Sequence, residues 1–363
     1  IFPQTPIEWC CVLFATGWAV VSIWPVLGSS LWGDELWSWR ESIGGRFQRD
    51  ATSATMADGA TTLYWEGLGW EHTLWRYLTT NHHFLSAALA RLSNSAWQAG
   101  GHAEWAFSEV ALRLPTLMAG IAGLYLWAAV LRPVSSVAAC LVPILLALHP
   151  WYLRYLSEAR GYGLLFALVP LVILFTRAAV ADNRARWWWG VALSQALALY
   201  AWPGVLPTLL GLQIAVAVAI GRKPEKVPAI RRRWLLANMA TLMIVFQLVS
   251  PCLTQVWEYL AGELPERPVG WYWIVNEASW FCLGCESHDF RNYAEVNPSY
   301  VTLQSLLTNH PVQTLIALAL MALSVVCGIR AWVRDAALGW STFLGIAIAT
   351  VATWLAAAAS GTA

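Results

Sequence analysis

Residues 9–27 read WCCVLFATGWAVVSIWPVL, a run without one charged side chain. A stretch of this length and character crosses the hydrocarbon of a bilayer as a helix, which takes about 20 residues. Comparable apolar blocks recur at 115–131, 134–148, 161–180, 187–201, 205–220, 234–253, 312–329 and 337–358. The chain therefore reads as all-α, a polytopic transmembrane helix bundle of about nine spans. The step Trp202-Pro203-Gly204 suits a tight turn between two short spans, or a kink within one. Composition points the same way. Of the 363 residues, 58% are apolar and 12% charged, about half the roughly 25% charge of a soluble domain, and the mean hydropathy is +0.53. A water-soluble globule is excluded. The net charge of +1 argues against a nucleic-acid partner, which requires a basic surface. No small-residue cleavage site follows the first span, so it reads as an anchor and not a removable signal.

The bias of Lys and Arg sets the orientation. With a cytoplasmic N-terminus, the inner segments hold 12 basic residues against four acidic ones, and the outer segments the other 10 against 17. The run RKPEKVPAIRRR at 222–233 is the strongest marker; its ordinary role is topology, with some attraction to anionic lipid. Two long segments then lie outside, 33–114 and 254–311, and loops of that length are uncommon unless functional. The chain divides into 1–220, which contains the first loop, and 221–363, which contains the second. In the first loop, Leu36-Trp37, Leu74-Trp75 and Tyr77-Leu78 sit among charges, as in helices lying flat in the interface. Phe84, Leu85, Leu89 and Leu92 keep a helical period with Arg91 on the polar side. All seven His residues fall in or beside the outer segments, which places any acid–base chemistry there.

Four clusters could carry chemistry. Trp32-Gly33-Asp34-Glu35-Leu36-Trp37 puts two adjacent carboxylates at the outer end of the first span, where they are costly unless paired. Partial desolvation can bring such a carboxyl towards the range of a general base; the plainer reading is a pair of acids at a helix N-terminus, favoured by its dipole. Arg113, in Glu109-Val110-Ala111-Leu112-Arg113-Leu114-Pro115, lies where the second span enters from outside. It could snorkel to headgroups or clamp a phosphate with its planar fork. The segment from His149 to Tyr162 carries Glu158, Arg160 and Tyr162 on the same outer face. Arg160 could join Arg113 in a phosphate site facing Asp34 and Glu35, or only pair with Glu158 or Asp34 as glue between helices. Asn81-His82-His83-Phe84 supplies two further polar contacts, His82 and His83. Trp32, Trp37, Trp65 and Trp70 have faces that could stack on sugar, although most of the 25 Trp residues suit the role of interface markers.

The order of these motifs resembles the membrane glycosyltransferases of the GT-C fold, the bacterial branch related to protein O-mannosyltransferases and the lipid A aminoarabinose transferase. It covers roughly the first 180 residues, inside the module 1–220. The resemblance implies transfer of a sugar from a polyprenyl-phosphate donor to an acceptor outside the cytoplasm, at a bacterial inner membrane with the active side periplasmic. It implies Asp34 as general base with Glu35 beside it, Arg113 on the donor phosphate, and Arg160 and Tyr162 facing the same cavity, with His82, His83 and Glu158 as further contacts. Where relatives carry Asp-x-His-Pro-Pro in the first outer loop, this chain has Thr80-Asn81-His82-His83-Phe84. No cofactor is required beyond the lipid-linked donor: Arg stabilises the phosphate leaving group, so a divalent cation is compatible but not obligatory.

Two other readings remain open. The first is a non-catalytic subunit that keeps the scaffold and packs in a larger membrane complex; the second is a transporter, which the clustering of charges at the outer surface disfavours. Cys10, Cys11, Cys140, Cys252 and Cys327 fall in spans as small apolar residues. Cys282 and Cys285 suit a local disulfide, with a zinc site built from them and His288 as the weaker alternative. The enzymatic reading requires Asp34, Arg113 and Arg160 to meet beside the membrane with room for a ligand.

Overall fold

Thr5 begins the first helix because its hydroxyl accepts the Glu8 amide at 3.2 Å while the Glu8 carboxylate reaches back to the Thr5 amide, a reciprocal cap. The helix, α1, runs Pro6–Leu27. It buries Val12, Ala15, Ala19, Ile23 and Leu27, one stripe at helical spacing, and leaves Phe14, Trp18, Val21 and Trp24 exposed on the other side. An apolar helix with only one face packed needs a second apolar surrounding. Lipid supplies it.

The computed structural model describes residues 5–49, 63–76, 83–221 and 227–262, with two isolated helical positions, Leu315 and Val326. These fall into two compact units, the larger drawing on 1–148, 152–203 and 235–263 and the smaller on 149–151 and 204–234. Beyond α1, the elements are α2 (Gly33–Ser38), a π-helical turn (Trp39–Ile43), β1 (Gly45–Arg49), β2 (Leu63–Gly67), α3 (Trp70–Trp75) and α4 (Phe84–Gln98). Then follow α5 (Glu109–Leu131), α6 (Ser136–Leu148), α7 (Pro150–Leu156), α8 (Gly161–Asp182) and α9 (Ala185–Ala201). A 3-10 turn at Pro203–Val205 precedes α10 (Leu206–Gly221), α11 (Val227–Val249) and α12 (Leu253–Gly262). The described residues are mostly helical, and among them four helices are long and apolar enough to cross a membrane: α1, α5, α8 and the segment Pro228–Glu258. A fifth crossing arises if α6 and α7, bent by 72°, form one broken span. The Trp202-Pro203-Gly204 step does end a helix, since proline and glycine interrupt the amide ladder. Apart from Leu315 and Val326, the expected spans 312–329 and 337–358 lie outside the described residues, as does the expected outer loop 254–311 beyond Gly262; its first residues, 254–262, are helical and belong to α12.

In the larger unit, α1 packs on α5 and α6, and α5 on α8. Glycine lets α5 and α8 approach: a Cβ on Gly123 would stand 2.6 Å from the Phe166 carbonyl oxygen, and one on Gly163 3.2 Å from that of Thr116. Small residues at such crossings take the place of the hydrophobic effect, which lipid cannot supply between helices. Tyr152 donates to the Gly120 carbonyl at 2.7 Å. At one end of the bundle Arg132 meets Glu8 at 3.3 Å, and Arg177 donates to the Val130 carbonyl. At the opposite end lie the start of α2, the first turn of α5 and the 157–160 turn. In the smaller unit the Trp234 indole donates to Gln213 on α10 at 2.7 Å.

Two elements of the first outer segment differ from expectation. The hairpin β1–β2 pairs antiparallel with Phe47 opposite Trp65 and Arg46 opposite Glu66; no strand is foreseen there. Arg91 does not face solvent. It donates to the Gly69 carbonyl and the Thr73 hydroxyl, both at 2.7 Å, and lies over the Trp70 ring at 4.6 Å. The buried stripe of α4 is Phe84, Ala87, Ala90 and Asn94, and Leu92 is exposed.

Candidate functional site

The last turn of α1 leaves carbonyls without amide partners, as every helix end does. Arg113, in the first turns of α5, takes them. Its Nη1 donates to Val26 at 2.9 Å, Leu27 at 3.0 Å and Ser29 at 2.9 Å, and its Nη2 to Ser30 at 3.3 Å. Its fork also holds Glu35, Nε to Oε1 at 2.9 Å and Nη2 to Oε2 at 2.6 Å. Glu35 Oε1 further accepts the Ala159 amide at 2.8 Å, and Oε2 the Trp32 amide at 3.3 Å. Both side chains are buried. These contacts bear on two expected roles. Arg113 has all its donors committed inside the fold and offers none to a donor phosphate, and Glu35 has no free oxygen with which to take a proton from an acceptor. Together they are a clasp joining α1, α2, α5 and the 157–160 turn.

The polar groups that reach outward sit beside this clasp. Thr116 fixes the turn by donating to the Glu158 carbonyl at 2.8 Å, and the Arg160 amide closes it on that same oxygen at 2.8 Å. Arg160 Nη1 then meets Asp34 at 3.2 Å and Glu158 at 3.9 Å. Arg154 holds Glu158 at 2.8 Å across one turn of chain. Both guanidinium groups lie over the Trp32 ring, at 5.5 Å for Arg154 and 5.3 Å for Arg160, a cation–π arrangement. The Asp34 side chain is 48% exposed and that of Arg154 43%, against 8% for Arg160 and 7% for Glu158. Burial pushes the Glu158 carboxyl above its usual range, against the pull of Arg154 and Arg160. The more Glu158 holds a proton, the more the cluster carries positive charge in excess.

Asp34 and the two expected arginines are thus brought together, with unequal access. Tyr162 belongs to the group: its ring lies 5.0 Å beneath the Arg160 guanidinium. His83 meets Tyr162 edge-on at 4.8 Å, buried, with Nδ1 3.1 Å from the Ala201 carbonyl. That acceptor requires the proton on Nδ1. Gly161 permits the contact, since a Cβ there would strike Ala201 and the His83 ring. His82, Cys282, Cys285 and His288 lie outside the described residues. Among the described residues, no three His, Cys, Asp or Glu side chains group as a metal site would require.

Arg154 was missed by sequence reasoning. Its signal was the spacing Arg154-x-x-x-Glu158, an i,i+4 pair. A cleft lined by aromatic rings beside α2 was missed too, because its walls come from the unforeseen hairpin and from residues near 105. Comparison with protein-family models, with curated proteins and with solved structures finds no match.

Proposed function

We propose that this protein is a GT-C-type membrane glycosyltransferase that moves a sugar from a polyprenyl-phosphate donor to an acceptor on the non-cytoplasmic side of a bacterial inner membrane. In this reading it has about nine spans, and the end of the bundle that holds Asp34 is periplasmic. The observation that carries the proposal is the half-exposed Asp34 carboxylate, 3.2 Å from the buried Arg160. A lipid-anchored phosphate lies at headgroup depth, so its site needs a cation there and an acid just beyond. Arg154 and Arg160 supply the cation in place of Arg113. The acceptor oxygen attacks the anomeric carbon and its proton passes to Asp34. The bond from that carbon to the phosphate oxygen breaks, and the charge left on polyprenyl phosphate is held by the two guanidinium groups. A divalent cation is compatible with this step and not required by it.

The test is sugar transfer from a polyprenyl-phosphate donor in membranes. Asp34→Asn should abolish transfer at unchanged expression; full turnover by that variant would end the proposal.

One observation favours a second reading, a non-catalytic subunit of a membrane complex: the carboxylates and guanidinium groups are already paired with each other. Co-purification with a stable partner, together with no transfer by the native chain, would select it.

A further inference from the structure

Phe47 and Trp105 keep more than half their surface in solvent, 55% and 54%, with ring centroids 6.3 Å apart. Phe47 also meets Trp65 edge-on at 5.1 Å, and Trp65 stacks on the buried Trp39 at 6.5 Å. These rings line a cleft of about 680 Å³ whose remaining walls include Arg40, Glu41, Arg46 and Glu109. The volume lies within the range of small-molecule sites, about 300–1,000 Å³. The four charged side chains are two of each sign, so the cleft has no net charge to attract an anion or a cation. They also make it a poor seat for a lipid tail, because charges next to hydrocarbon are costly. Aromatic faces with planar, bidentate donors and acceptors around them match a ligand that is neutral, apolar on its ring faces and rich in hydroxyls.

We propose that this cleft binds a neutral glycan, one or more sugar rings packing on Trp65, Phe47 and Trp105 while their hydroxyls bond to Arg40 and Glu109. Glu41 is the positioning residue: it holds Arg46 and Arg76, each at 3.4 Å. Leu36, in the cleft wall, lies two residues from Asp34 on α2. In the transferase reading the cleft is the acceptor side of the reaction, its wall and the carboxylate assigned as base sharing the short helix α2. That last role rests on the transferase reading; glycan binding does not.

The test is retention of detergent-solubilised full chain on an array of neutral and acidic oligosaccharides. Neutral glycans should be retained, equally by native protein and Asp34→Asn, and retention should fall about tenfold in Trp105→Ala, whose exposed ring contributes to the stack. Phe47→Ala, at the other exposed wall, should fall likewise and guards against a folding defect in either variant. Retention of no neutral glycan, or retention by both aromatic variants equal to that of native protein, would overturn the proposal. So would a nitroxide on Trp105→Cys that relaxes with lipid-borne oxygen and not with a water-soluble nickel chelate, since the ring would then lie in the bilayer. Glycan retention without any sugar transfer would support the cleft and remove the transferase. Transfer whose acceptor KM is the same in Trp105→Ala would remove the cleft as acceptor site.

Discussion

Arg113 and Asp34 lie at the same end of the bundle, yet opposite behaviour is expected of them. Arg113 is buried against Glu35, and removing one partner of a buried, hydrogen-bonded ion pair costs about 3–5 kcal/mol because the other charge is left uncompensated. Arg113→Ala should therefore lower unfolding stability by that amount, read by thermal or denaturant melting in detergent. Arg113→Lys should recover little, because an ammonium cannot reproduce the planar fork that serves Glu35 and the α1 carbonyls. The Asp34–Arg160 pair has one half-exposed partner, and such pairs are worth only about 0–1 kcal/mol. Asp34→Asn should leave the melt within that margin while transfer is lost. Glu158 adds a pH dependence. Its folded carboxyl is held above the ordinary range by burial, so the fold keeps a proton that the unfolded chain has already released. Folding takes up a proton in that window, and stability falls as pH rises through it. Melts of native protein and Glu158→Gln across that window should diverge with rising pH, the Gln variant gaining; parallel curves would contradict the assignment.

At the scale of elements, the legible parts were those with long-range hydropathy. The helices α1, α5, α8 and α11 overlap the expected spans because twenty apolar residues admit one structure in lipid. The hairpin was not legible. β1 alternates polar and apolar residues in Arg46-Phe47-Gln48, but β2, Leu63-Tyr64-Trp65-Glu66, does not, and residues 50–62 separate the two where a two-residue turn signal would announce a hairpin. The π-helical turn after α2 carries no composition signal either. Among site residues, the gathering of Asp34, Arg113 and Arg160 at one end of the bundle was readable from span ends. Which guanidinium is spent inside was not, since the carbonyls that saturate Arg113 are backbone groups with no mark in sequence. Two measurements check the packing. Gly123→Val should be destabilising by about 1–3 kcal/mol through overpacking, because its side chain would enter the Phe166 backbone. Cys11 on α1 and Cys140 on α6 are neighbours close enough to interact, so a membrane-permeant oxidant should join their two peptides in non-reduced mass spectra; no joined peptide would contradict that contact.

For the whole molecule, polarity is written in its two ends. One holds Glu8 with Arg132 and Arg177 against Val130; the other holds Asp34, Arg154 and Arg160. In the orientation expected from the Lys and Arg bias the first end is cytoplasmic, so cysteines introduced at Arg184 and at exposed Trp105 should label from opposite faces of sealed vesicles. The central claim is that Arg154 and Arg160, with Asp34 beside them, hold a lipid-borne phosphate. The most direct measurement is a titration of undecaprenyl phosphate into nanodiscs carrying native protein, Arg154→Gln or Asp34→Asn, with phosphatidate as control lipid. Saturable binding is expected for native protein, weakened about tenfold in Arg154→Gln by loss of one charge-assisted contact and equal or tighter in Asp34→Asn, which releases Arg160 from its partner. Absence of saturable binding, or identical titrations for native protein and Arg154→Gln, would contradict it.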